Sequence, residues 1–196
     1  MSILFFDTET TGLPDYAFPH DAECQPHVVQ LASLLTDCTG KEMAHLNMIV
    51  RSPVPIPEQA SRVHGITDDV AERYGVHPKA AGAVFRSMAS RADLIVAHNI
   101  KFDLLVTRAL FARHGLSDPL PESIFCTVGA AAPIVNLPPT ERMIAAGINK
   151  PKSPTLAECV KHFFGRDLDG AHDALVDVRA CRDVFFEIRR RTATVP

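Results

Sequence analysis

At 196 residues, with 46% hydrophobic and 22% charged side chains, the chain has room for one domain with a real core, and its composition excludes a disordered or fibrous protein. The formal net charge of −3 excludes a global positive field as the basis of tight polyanion binding; for such a ligand, bound cations would have to supply part of the local positive charge. The apolar start, Met1–Phe6, runs straight into Asp7 and Glu9 without a basic start or cleavage site, and no apolar run approaches the roughly 18 residues of a membrane span, so a soluble cytoplasmic protein is expected.

In chain order, Ser2–Asp7 reads as a buried strand ending in a carboxylate, and Asp15–Pro26 as a polar, proline-containing loop. Val28–Thr36 and Ala44–Val50 read as a second and third strand. Prolines 53, 55 and 57 break the chain into an extended connector. Two short helices follow, Glu58–Val63 and Asp68–Arg73, with Thr67 as N-cap of the latter. Lys79–Arg91 reads as a helix, Leu94–Ala97 as a fourth strand, and Ile100–His114 as a helix closed by Gly115. Ser123–Cys126 is a fifth strand leading into a short helix to Ala132. The proline-rich stretch 133–154 reads as an irregular flap around a helical fragment at Thr140–Ala146. Thr155–Phe164 is a helix stopped by Gly165, and Asp173–Arg190 is the last long helix. Three strands followed by strand–helix alternation predict an α/β fold with a mixed sheet flanked by helices. Residues 1–190 then form a single domain, with a flexible tail at 191–196. The five cysteines, Cys24, Cys38, Cys126, Cys159 and Cys181, are odd in number and scattered, so neither a disulfide framework nor a zinc knuckle is expected. The basic run Arg189-Arg190-Arg191 suits a solvated helix end.

Four segments carry residues suited to chemistry. Asp7 and Glu9 share a face if the first strand persists past Asp7. Two carboxylates about 4 Å apart repel by around 4 kcal/mol at an effective dielectric of about 20, and a divalent cation removes that repulsion. A strand running into a polar turn would instead leave both solvated. Asp177 falls on the apolar face of the last helix, beside Ala174, Cys181, Val184 and Ile188 and opposite Arg179 and Arg190. A buried carboxylate needs a partner, either a metal ion or an arginine. His172 cannot share a helix face with Asp177 five residues on, so joint action requires it to lie on the Gly170-Ala171 loop. There it could accept a proton from water, or simply bond to backbone at a helix end. The run Ala97-His98-Asn99-Ile100-Lys101-Phe102-Asp103 leaves a strand and opens a helix. Asn99 is a candidate cap, and Asp103 is either a site residue or a favourable charge near the helix N-terminus.

The ordered set Asp7-x-Glu9, His98-Asn99-x-x-Phe102-Asp103 and His172-x-Ala174-x-x-Asp177 resembles the DEDDh (DnaQ-like) 3′→5′ exonuclease family from Ile3 to about Ile188. Asp7-Thr8-Glu9-Thr10-Thr11-Gly12-Leu13 and His64-Gly65-Ile66-Thr67 add to the likeness. The resemblance implies a ribonuclease H-like fold with a central five-stranded sheet. It implies two divalent ions, Mg2+ with Mn2+ able to substitute: Asp7, Glu9 and Asp177 holding the first, Asp7 bridging to the second, Asp103 reaching that one, and His172 serving as general base. It also implies a 3′-end pocket: Thr10, Thr11, Gly12 and Leu13 meeting the terminal nucleotide, His64 and Ile66 on the opposite wall, and Asn99 and Phe102 beside it. The flap has no fixed counterpart in these motifs, and Lys150 and Lys152 there are either phosphate contacts or solvated charges.

The leading expectation is a stand-alone exonuclease releasing nucleoside 5′-monophosphates from 3′ ends of DNA, preferably single-stranded. A proofreading subunit bound to a polymerase would be favoured by a docking extension, and the chain ends within a few residues of the last helix. An RNA 3′-end trimmer uses the same catalytic set, and a degenerate binding module would keep the fold while losing catalytic positions. A homodimer is a further expectation, since members of the family are often dimeric.

Overall fold

The computed structural model describes residues 1–193. Five strands, β1 (Ile3–Thr10), β2 (Val28–Thr36), β3 (Glu42–Ile49), β4 (Leu94–Ala97) and β5 (Ile124–Cys126), form one sheet in the order β3-β2-β1-β4-β5. β1 and β3 pair antiparallel with β2, while β4 runs parallel to both β1 and β5. The helices are α1 (Glu58–His64), α2 (Asp68–Tyr74), α3 (Pro78–Ala89), α4 (Ile100–Arg113), α5 (Thr127–Val135), α6 (Glu141–Ala145), α7 (Leu156–Phe164) and α8 (Ala174–Ala193). No described helix is long and apolar enough to cross a membrane.

β1 sits in the middle of the sheet, and its alternation divides the core. Ile3 and Phe5 face the layer of α5, α7 and α8, where they pack with Ala174, Val178, Cys181, Val184 and Phe185. Leu4 and Phe6 face the layer of α3 and α4, among Phe85, Ile100, Leu104 and Phe111. Edge-to-face packing of Phe5 on Phe185, at 5.4 Å between centroids, ties α8 to the strand.

Unequal pairing of β1 positions the site. β2 accompanies the strand as far as Thr10, whereas β4 accompanies it only from Ile3 to Phe5. Past Phe5 the strand therefore has a free side, opening a crevice at the carboxyl ends of β1 and β4, where open α/β sheets bind their ligands.

Several boundaries differ from the sequence expectations. β1 continues past Asp7 to Thr10, with an irregularity in its pairing between Glu9 and Thr10. The expected shared face of Asp7 and Glu9 is therefore present. α5 continues through Pro133, two residues from its end, so the irregular stretch begins after Val135. α8 continues to Ala193, so residues 191–193 of the expected tail are helical; residues 194–196 lie outside the described residues. Asn99 occupies the position before α4 but adopts a left-handed backbone (φ 76°) and makes no side-chain cap bond, contrary to the capping expectation. Thr67, by contrast, caps α2 through Val70 N–H as expected.

Candidate active site

The site assembles where the two faces of β1 turn polar. Asp7 and Glu9 continue the Ile3–Phe5 face, so they point toward the start of α8. The chain reaches that helix through two left-handed residues, Gly170 (φ 76°) and His172 (φ 68°). These conformations turn His172 out of the helix, while its backbone N–H donates to Asp177 Oδ2 at 3.0 Å. Asp173 caps the first turn, its Oδ1 accepting from Leu175 and Val176 N–H. Gln30, the register partner of Glu9 on β2, accepts from Ala174 N–H at 3.2 Å and donates to Asn47 Oδ1 at 3.0 Å. The start of α8 is thus fastened directly to the sheet beside Glu9.

One donor atom each from Glu9, His172 and Asp177 lie within 4.8 Å of one another. Asp103, only 2% exposed, approaches from α4. Its Oδ1 accepts from Thr8 N–H at 3.1 Å and Thr8 Oγ1 at 2.9 Å, which locks it onto β1. Asp177 Oδ1 is buried and, among the described residues, has no hydrogen-bond partner. Among the described residues, Asp7, Glu9, Asp103 and Asp177 form no ion pair, so Asp177 has no arginine partner there.

The electrostatics follow from this crowding. Burial, then the charges of Asp103, Asp177 and Asp173, raise Asp7 well above the usual carboxylate range. Burial, with Asp7 next in weight, lifts Glu9 to about 8. Burial lifts Asp103 to about 8 against the lowering effect of the Thr8 bonds, and burial also raises Asp177. A cluster of oxygen donors that resists ionisation, with one orphaned carboxylate oxygen, fits a hard divalent cation: the ion provides the positive charge that the protein side chains here lack.

A cleft of about 540 Å³ opens beside Glu9. One wall is Thr10, Thr11, Gly12 and Leu13, and the other is α1 with Pro57, Gln59, Ala60, Val63 and His64; Phe102 also lines it. Leu13 is 87% exposed, an apolar side chain standing at the mouth. His64 Nδ1 accepts from Ile66 N–H, so Nε2 is the nitrogen that donates to Thr10 O at 3.3 Å, stitching the walls together. Ile66 does not line the cleft: it is buried beneath the wall with Val29, Ile56 and Ala71. Asn99 is exposed at the start of α4 and likewise absent from the lining. Away from the cleft, Lys152 pairs with Glu158 and is not a free cation, while Lys150 is exposed.

A family model described as exonuclease (RNase T) matches residues 4–185. The chain belongs to the RNase T exonuclease family. Its ribonuclease H-like fold recurs in E. coli exonuclease I in complex with a dA16 oligonucleotide (TM-score 0.77, 23% identity, 98% of this chain and 41% of that one). It recurs in a zinc-bound form of the E. coli exonuclease I–ssDNA complex (TM-score 0.75, 22% identity, 98% and 41%). It recurs also in a moderately thermophilic exonuclease I from Methylocaldum szegediense (TM-score 0.76, 23% identity, 98% and 41%). An uncharacterized exonuclease, CP81, of Escherichia phage 186 is 43% identical over 67 residues, 34% of this chain and 28% of that protein. The chain therefore spans less than half the length of each of these relatives.

Within this exonuclease fold, sequence reasoning missed the residues that hold the acids in place. Thr8 was legible only as a member of the quoted Asp7–Leu13 run, Gln30 only as a strand position and Asp173 only as a helix start. His98, part of the quoted motif but without an assigned role, is a brace. Its Nε2 faces Pro154 O at 3.2 Å and Nδ1 faces Thr127 Oγ1 at 2.9 Å. Burial lowers this histidine to about 4, so the ring is neutral and joins the end of β4 to the segment leading into α7.

Proposed function

We propose that the chain is a 3′→5′ exonuclease that acts on single-stranded DNA and releases nucleoside 5′-monophosphates, using two Mg2+ ions that Mn2+ can replace. The observation that carries this reading is the crowding of Asp7, Glu9, Asp103 and Asp177, near enough for their charges to act on one another, with one of them holding a buried oxygen that lacks a partner. Asp7, Glu9 and Asp177 would hold one ion, and Asp7 with Asp103 the other. When bound, the ions supply positive charge and Lewis acidity to a phosphodiester in the crevice.

The side chains supply the rest. The cleft receives the terminal nucleotide, with Leu13 flanking the base and the Thr10–Gly12 backbone beside the sugar. His172, exposed and turned out of α8, takes a proton from the attacking water. Below about pH 8 Glu9 and Asp103 hold protons in preference to charge, so a cation must displace those protons before the site can engage a phosphodiester, which makes the reaction metal-gated. The single-strand preference rests on the cleft, because a terminal base must leave a duplex to enter it, and stacking on apolar groups tolerates any sequence. Relatives solved with ssDNA oligonucleotides and with zinc support both halves of the proposal.

The test is stepwise shortening of 5′-labelled oligonucleotides: matched single-stranded DNA, duplex DNA and RNA, each with Mg2+, Mn2+ or chelator. Single-stranded DNA should shorten fastest, only with metal, and Asp7→Ala should abolish the ladder. Equal activity in the variant, or in chelator, would sink the assignment; faster RNA cleavage would reassign the substrate.

A further inference from the structure

A second cavity draws on two of the segments that line the cleft, the loop after β1 and α4. The loop after β1 carries Tyr16 and His20, and α4 carries Lys101, Leu104, Leu105 and Arg108; together they line a groove of about 290 Å³ with no acidic side chain in its lining. Successive helix residues diverge by about 100°, and the first turn of α4 uses this: Lys101 faces the groove, Phe102 the cleft, and Asp103 the bonds to Thr8. The loop is split in the same way, Leu13 standing in the cleft and Tyr16 in the groove.

The loop is firmly held. Gln25, 2% exposed, donates to the carbonyls of Asp15 (2.9 Å), Phe18 (3.2 Å) and Pro19 (3.1 Å) and accepts from Asp15 N–H (3.1 Å). Arg113 of α4 donates to Pro26 O at 2.8 Å and also to Gln25 O. On this scaffold Tyr16 is nevertheless 60% exposed, an aromatic ring presented to solvent from a held backbone. Partial burial and the nearby Asp103 charge raise its phenol, consistent with a position close to the acidic centre. Arg108 is held by Asp118 at 2.9 Å, whereas Lys101 has no ion-pair partner among the described residues. In a chain of net charge −3, Lys101 thus brings an unpaired cation into a lining that also holds an exposed ring.

We propose that this groove is a second DNA subsite, taking the nucleotides on the 5′ side of the scissile bond, with Tyr16 stacked under a base and Lys101 against the backbone. The proposal rests on the exonuclease reading above. A strand whose 3′ end lies in the cleft leaves it across the rim shared by Leu13–Tyr16 and the first turn of α4. There the combination of a stacking ring and a cation recognises single-stranded nucleic acid without regard to sequence.

Steady-state cleavage of dT2 and dT10 in Mg2+ tests it, because the dinucleotide fills the cleft but leaves one nucleoside and no further phosphate on the 5′ side of the scissile bond, too little to engage Tyr16 and Lys101 together. Wild type should show kcat/KM roughly ten-fold higher for dT10, in line with one stacked base and one phosphate contact. Tyr16→Ala combined with Lys101→Ala should erase that length gain, and Tyr16→Phe should restore most of it to a Lys101-containing chain. Lys101→Ala alone should also flatten the dependence of log kcat/KM on log salt by about 0.7. A double variant that keeps the wild-type length gain, or a wild type with none, overturns the groove while leaving the exonuclease reading intact. A wild type that cleaves neither strand overturns both.

Discussion

The two faces of β1 begin alike and end differently. Each is apolar for two residues, Ile3 and Phe5 against α8, Leu4 and Phe6 against α4. The α8 face then presents Asp7 and Glu9, and meets a third acid, Asp177, whose Oδ1 has no partner. The α4 face presents Thr8, which satisfies the acid it meets: Asp103 receives both a backbone and a hydroxyl bond from it. One face keeps carboxylates unsatisfied and the other locks one in place. An unsatisfied buried acid costs stability but keeps ligand capacity free, whereas a bonded acid is pre-positioned and its removal strands its donors.

The sharpest way to break this comparison is to remove one acid from each face. Asp177→Asn keeps an acceptor for His172 N–H while deleting the charge. Cleavage should fall by roughly a thousand-fold or more if the ions supply several kcal/mol at the phosphodiester, yet the metal-free protein should melt at the same temperature or higher. Asp103→Ala should also abolish cleavage, but it leaves the N–H and hydroxyl of buried Thr8 without their acceptor. At about 1–3 kcal/mol for each of the two stranded groups, urea unfolding should show a loss of roughly 2–6 kcal/mol. Equal destabilisation by the two substitutions would erase the distinction between the faces.

The next largest effect is on pH and metal. Glu9 and Asp103, each raised to about 8, bind protons more tightly in the fold than in the unfolded chain. Their contribution is therefore fully present below the ordinary carboxylate range and is lost as pH rises through about 8. His98, lowered to about 4, works in the opposite sense: its contribution is present above its ordinary range near 6.5 and is lost as pH falls toward 4. Metal-free protein should accordingly lose melting temperature between pH 6.5 and 9. Mg2+ should restore it, and by more at pH 9 than at pH 6, because the ions displace protons from the same oxygens. A Mg2+ shift in Tm that is independent of pH would count against the raised acids as the ion's ligands.

How much of this could be read from the chain depends on the range of the interaction. The apolar alternation of Ile3–Phe6 and the apolar setting of Asp177 are local patterns, so the strand and the odd position of that acid were legible. Strand persistence to Thr10 was legible only as a condition, because it depends on pairing with β2 up to Val28. Bonds that hold the acids join residues far apart in sequence: Thr8 to Asp103, Gln30 to Ala174, His98 to Pro154. Nothing in the neighbourhood of a buried threonine or glutamine announces a partner 95 or 144 residues away. Asn99 shows the reverse error. Its type suits a helix cap, but the turn out of β4 requires a left-handed residue, which asparagine also tolerates, and that demand prevailed. The α1 wall of the cleft was missed because its residues, Gln59, Ala60 and Val63, carry no chemistry of their own and matter only by where the connector places them.

Gln30 allows the comparison to be refined by a smaller effect. Its amide spans two environments: the oxygen accepts from Ala174 N–H, at a residue with no exposed surface, and the nitrogen donates to Asn47, which is exposed. Only the first bond touches the segment carrying His172 and Asp177. Gln30→Leu keeps the volume, strands the Ala174 N–H, and should cost about 1–2 kcal/mol in urea unfolding. Asn47→Ala removes the other bond from a solvated residue and should stay within about 0.5 kcal/mol. If the α8 face works by holding its acids unsatisfied but in place, Gln30→Leu should lower kcat more than it raises KM, since the cleft itself is untouched. Asn47→Ala should change neither by more than about two-fold, and an equal kinetic defect in both would show that the amide serves the sheet and not the start of α8.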